Sequence, residues 1–101
     1  MASKEPIGGA LAIEVEIRKE KASALRRVAG RLETAISDLR ALESQVPTPG
    51  APERGHFVER HRALRAEAEK YRWYLVVQRE AMGLLNHDIV FETYPIPEPI
   101  R

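Results

Sequence analysis

The 101-residue chain has no cysteine, which excludes disulfides, thiolate metal sites and cysteine nucleophiles and leaves packing alone to hold the fold. Aromatics are few: one tryptophan, two phenylalanines and three tyrosines. No apolar run approaches the roughly 18 residues of a membrane-spanning helix, and the first twenty residues lack the uninterrupted apolar stretch of a secretory signal. A cytoplasmic location is therefore expected. An excess of one charge is missing as well. Sixteen Lys plus Arg against fifteen Asp plus Glu leave a net charge of +1, which provides no long-range field for nucleic acid or an anionic membrane. Lysine is scarce, present only as Lys4, Lys19, Lys21 and Lys70, so the basic side chains are mostly arginine.

What remains is a chain that is 44% hydrophobic and 31% charged, the balance of a folded domain with one modest core and well-solvated helix surfaces. The strongest signal is a heptad pattern. Leu25, Val28, Leu32, Ala35, Leu39, Leu42 and Val46 are separated alternately by three and four residues, with charged positions between them and Ile36 widening the stripe. A second series runs Phe57, His61, Leu64, Ala68, Tyr71, Leu75, Gln78, Met82, Leu85 and Ile89. Between the two, residues 47–55 hold three prolines and two glycines, which end the first helix and turn the chain.

The fold expected is all-α: an antiparallel, coiled-coil-like two-helix hairpin over residues 11–94. Helix one covers about 20–46, the loop 47–55 and helix two about 56–87. A flexible lead-in precedes the hairpin at residues 1–10, where Pro6, Gly8 and Gly9 cluster. An extended Pro-rich tail follows at 95–101. The loop sets a register with Leu42 opposite His61, Leu39 opposite Leu64, Ala35 opposite Ala68, Leu32 opposite Tyr71 and Val28 opposite Leu75. Residues 11–17 stay open between strand and helix, since Leu11, Ile13, Val15 and Ile17 alternate but also form i, i+4 pairs. Residues 89–94 have the composition of a short strand, and a two-stranded pairing of the two segments is compatible with the hairpin. Gly83 and Asn86 are the end signals of helix two.

A lone hairpin leaves every seam residue half open, and the usual remedy is a homodimer forming a four-helix bundle. Helix two carries an extra apolar stripe of Trp73, Tyr74, Val77, Ala81 and Leu84, which is the expected partner interface.

Catalytic candidates do not converge. His61 sits on the seam and reads as a hydrogen-bonded core histidine. His56 and Glu59 have an i, i+3 spacing suited to a metal, yet no second carboxylate or histidine set completes a bundle site. His87 and Asp88 have no nucleophile in context, and Gly8, Gly9 and Gly50 lie outside any phosphate-loop motif. Arg26, Arg27, Arg31 and Arg40 fall largely off the seam, so no helical-enzyme cavity forms. No cofactor, metal or catalytic residue is expected. The Arg60, Arg62, Arg65 and Arg72 cluster beside Tyr71 and Trp73 offers a nucleic-acid face as the alternative function. The leading expectation is a non-enzymatic scaffold or adaptor that self-associates and presents its arginine-rich face or its Pro-rich tail to another protein.

Overall fold

The structure, a computed structural model, describes residues 4–101, with side chains from Leu11 onward. Among the described residues three helices follow one another: α1 (Lys4–Glu43), α2 (Arg54–Ala81) and α3 (Asp88–Thr93). The long pair packs together, and the chain runs antiparallel in it. Glu43 faces His61 near the loop, and Lys21 reaches the Ala81 carbonyl at the far end of α2.

Local chemistry explains each boundary. The α1 helix ends where the Ser44 hydroxyl takes the Ala41 carbonyl at 2.7 Å, with Pro47 close behind to prevent resumption. In the loop, the Ala51 amide donates to the Thr48 carbonyl at 3.1 Å. Pro49 and Gly50 occupy the central positions, and Gly50 has φ +88°, which matches the needs of a type II turn. The α2 helix ends in a Schellman motif: the Gly83 amide donates to the Glu80 carbonyl and the Leu84 amide to the Arg79 carbonyl. Gly83 holds the left-handed conformation the motif requires, at φ +84°. The motif reverses the chain, and the Asn86 side chain accepts the Asp88 amide at 3.0 Å to start α3.

Several sequence expectations are corrected. Residues 11–17 are helical, and residues 89–93 belong to α3, so no strand exists among the described residues. An unpaired strand would leave its backbone groups without a ladder, whereas a helix satisfies them internally. The i, i+4 pairs Leu11–Val15 and Ile13–Ile17 therefore prevail over the alternation. The α1 helix starts far ahead of residue 20 and stops before Val46, and α2 stops at Ala81 instead of near 87. Of the expected lead-in, residues 1–3 lie outside the described residues, and the backbone from Lys4 on is helical.

The core is thin. Leu32, Ala35, Ile36 and Leu39 of α1 are buried together with Ala68 and Leu75 of α2 and Val90 of α3, flanked by half-buried Leu25, Val28, Leu64 and Tyr71. Fully burying a leucine such as Leu32 or Leu39 contributes about 1.5–3 kcal/mol. The molecule measures 78 × 21 × 15 Å with a radius of gyration of 20.3 Å, against about 13 Å for a globular domain of this length. The length comes from α1. Because α2 ends opposite Lys21, residues 4–20 continue alone for about 25 Å at 1.5 Å per residue.

Candidate interaction surface

Two chemically different surfaces flank the hairpin. The first is apolar and uncovered. Trp73 is 62% exposed, and Tyr74, Val77, Ala81 and Leu84 are exposed with it. Trp73 and Tyr74 hold each other in a tilted arrangement at 5.8 Å, and Tyr74 meets the edge of Tyr71 at 6.2 Å. Trp73 also lines a shallow cleft of about 320 Å³ with Glu69, Arg72, Val76 and Phe91. Leu84 lies past the end of α2, so it extends this surface from the turn and not from the helix. On the projecting part of α1, Leu11, Ile13, Val15 and Ile17 are exposed as well, Leu11 with Val15 on one side of the helix and Ile13 with Ile17 on the other.

The expected seam is occupied unevenly. Leu32, Leu39 and Leu75 are buried, while Leu25, Val28, Leu42, Phe57, Leu64 and Tyr71 are half-buried. Met82 and Leu85 leave the seam altogether, Leu85 being 77% exposed, because the Schellman motif takes the chain away before they could face α1. His61 is 1% exposed, and its Nε2–H donates to Glu43 Oε1 at 2.9 Å, which makes it a structural histidine closing the loop end. His87 is likewise engaged away from Asp88. Its Nε2–H donates to Glu80 Oε1 at 3.1 Å while its Nδ1 accepts from Arg79 at 3.4 Å.

The second surface is a row of arginines on α2. Arg79 donates to the Asn86 carbonyl at 2.9 Å, Arg72 to the Tyr94 carbonyl at 3.1 Å, Arg65 to the Pro97 carbonyl, and Arg54 to the Arg101 carbonyl at 2.8 Å. The Arg72 guanidinium also sits 4.8 Å from the centre of the Phe91 ring. From α1, Glu33 accepts the Tyr94 hydroxyl at 3.0 Å, and Ile36 and Glu33 share a cleft with Thr93 and Tyr94. Burial of Tyr94, the hydrogen bond to Glu33 and the charge of that carboxylate hold the phenol above its ordinary pKa.

Sequence reasoning placed Arg65 and Arg72 together but missed Arg54, Arg79, Glu33, Val90 and Tyr94. The signal was present. Arg65, Arg72 and Arg79 recur every seven residues, each one position after a seam residue, and Arg54 lies eleven before Arg65 on the same face. Arg62 takes a different role, pairing with Glu59 on the solvent side.

These features define a class by shape: an elongated antiparallel helical hairpin with a short third helix folded back on it. No family model, curated protein or solved structure matches the chain. No helix among the described residues is long and apolar enough to cross a membrane.

Proposed function

We propose that the protein is a non-enzymatic interaction module, a scaffold or adaptor that works as a self-associated helical hairpin. The observation that carries this reading is the exposure of Trp73, Tyr74, Val77 and Leu84 at the end of the hairpin, with a second set of exposed apolar residues, Leu11, Ile13, Val15 and Ile17, on the projecting part of α1. Large contiguous apolar patches on soluble proteins mark contact surfaces.

Self-complementarity favours a second copy. The α1 projection begins where α2 stops, so a two-fold axis near that step lays each projection along the partner's Trp73–Leu84 region. Both contacts form at once, as an isologous interface demands. The outcome is a cytoplasmic homodimer in which each projection joins the partner's α1 and α2, three helices at each level on either side of the axis where a symmetric overlap of hairpins would give the expected four, with the Pro-rich tail of each copy on the outside. The nucleic-acid alternative is favoured less, since Arg65 and Arg72 already donate to carbonyls of the chain itself.

Light scattering coupled to size exclusion tests the proposal. The expected mass is twice the 11.4 kDa of the chain, and Trp73→Glu combined with Val77→Glu returns it to one chain with unchanged helical circular dichroism. A wild-type monomer at micromolar concentration refutes self-association.

A further inference from the structure

The arginine row and residues 88–101 are complementary in a way that packing alone does not require. An arginine side chain offers only hydrogen-bond donors, and proline contributes a carbonyl without an N–H. Pro95, Pro97 and Pro99 therefore make a stretch rich in unpaired acceptors and poor in donors. Within residues 88–101 the guanidinium groups of Arg54, Arg65 and Arg72 take the main-chain carbonyls of Arg101, Pro97 and Tyr94, one of them a proline's, and Arg79 takes that of Asn86 just ahead of the segment. Side-chain selectivity is added at three points. Val90 is buried, Ile96 packs on the core, and the Tyr94 hydroxyl meets Glu33.

The attachment of this segment is slender. It joins α2 through Met82 to Asn86, all exposed, behind the turn at Gly83. Most of the buried cluster, Leu32, Ala35, Ile36, Leu39, Ala68 and Leu75, belongs to α1 and α2. The segment contributes one buried side chain to it, Val90, with Tyr94 and Ile96 partly buried against the cluster. It thus occupies the hairpin as a ligand does, by carbonyl capture and two or three anchors.

We propose that the arginine-lined side of the hairpin is a receptor groove for a proline-rich peptide with a Tyr-Pro-Ile-Pro core. The chain's own segment 88–101 fills the groove in cis, and the same segment of a second copy competes for it in trans. This surface adjoins the Trp73 stripe, since Arg72 and Phe91 share a cleft with Trp73, but its donors and anchors, Arg54, Arg65, Arg72, Arg79 and Glu33, are not residues of that stripe, so it stands whether or not the stripe self-associates. Exchange of an identical element between copies needs no new contacts, only a hinge that can open; the exposed turn at 82–86 is that hinge, held by the two Schellman bonds and by the bond from Arg79 to the Asn86 carbonyl.

The test uses the full chain and a fluorescently labelled peptide of residues 88–101. In the variant Tyr94→Ala with Ile96→Ala, the cis segment loses two anchors while the groove stays intact. The expected result is saturable binding at least tenfold tighter than to the wild type, abolished when Arg65→Ala and Arg72→Ala are added. Binding no tighter than to the wild type, with helical circular dichroism retained, overturns the proposal. Loss of helicity in the Tyr94→Ala, Ile96→Ala variant also overturns it, because the segment is then part of the core. Hydrogen exchange on the wild type gives an independent reading. The Tyr94 amide, bonded to the Val90 carbonyl, is expected to exchange at least tenfold faster than the Leu39 and Leu75 amides. Equal rates mean that the segment leaves only on global unfolding and refute a releasable ligand.

Discussion

Tyr94→Phe isolates one bond between the returning segment and α1. The ring stays, so packing is conserved, and only the hydroxyl that donates to Glu33 Oε1 at 3.0 Å is removed. Glu33 is exposed, so water replaces the lost donor and no buried charge is stranded. The cost is then that of an ordinary net hydrogen bond, about 1 kcal/mol, or roughly 4–8 °C in melting temperature for a domain of this size. The pH dependence carries the sharper test. Burial, the Glu33 bond and the Glu33 charge raise the phenol's folded pKa above 10.0. A group raised on folding contributes stability that is fully present below its unfolded pKa and is lost as pH rises through the folded value. Urea unfolding of both proteins at pH 8 and pH 11 is expected to show a gap of about 1 kcal/mol that narrows at the higher pH. Taking the difference between the two proteins cancels the other titrating side chains. Equal stability at pH 8, or a gap that persists unchanged to pH 11, refutes the assignment of this bond.

Leu39→Ala removes a side chain with no exposed surface and is expected to cost about 2–5 kcal/mol in denaturant unfolding, a large part of the stability of so thin a core. Two glycine substitutions should act in opposite directions in thermal melts. Gly30 is helical and a methyl group there meets nothing within 4 Å, so Gly30→Ala stabilises by about 0.5–1 kcal/mol. Gly83 stands at φ +84°, so Gly83→Ala destabilises by about 1–2 kcal/mol through the left-handed backbone. Ile13→Gln with Ile17→Gln, both on the projecting part of α1, is within about 0.5 kcal/mol of neutral for a monomer. If a second copy covers them, the melting temperature falls and becomes dependent on protein concentration.

The hairpin was legible because its determinants are local and periodic. Leu25 to Leu42 and Phe57 to Leu75 repeat every three and four residues, and the Pro49–Gly50 pair states its own turn. Gly83 was legible as a stop for the same reason, yet its consequence was not drawn. A left-handed residue at the helix end reverses the chain, and that removes Met82 and Leu85 from a seam they fit by spacing. Residues 11–17 stayed open between strand and helix because their alternate apolar residues satisfy both periods, and what decides is the absence of any strand to pair with, a fact no short window contains. The Arg-to-carbonyl bonds were invisible for a stronger reason. Carbonyls are the same in every residue, so which one an arginine takes depends on the path of the chain after α2 and leaves no mark in side-chain identity.

The two surfaces differ in how completely the chain satisfies them. On the arginine side, donors are matched by the chain's own carbonyls, Tyr94 by Glu33, and Phe91 by Arg72. The apolar side has no such answer among the described residues. The segment that returns after Gly83 could have covered Trp73 and Val77, but the Schellman motif and the Arg79 to Asn86 bond direct it along the arginine row, where Phe91 reaches only the edge of the cleft that Trp73 lines. The exposed stripe is thus a consequence of where the C-terminal segment is held. A helix carrying two apolar stripes and given one neighbour must leave the second open. Among the described residues, the segment after Gly83 goes to the side where polar capture makes it removable, and the surface left bare meets no partner there.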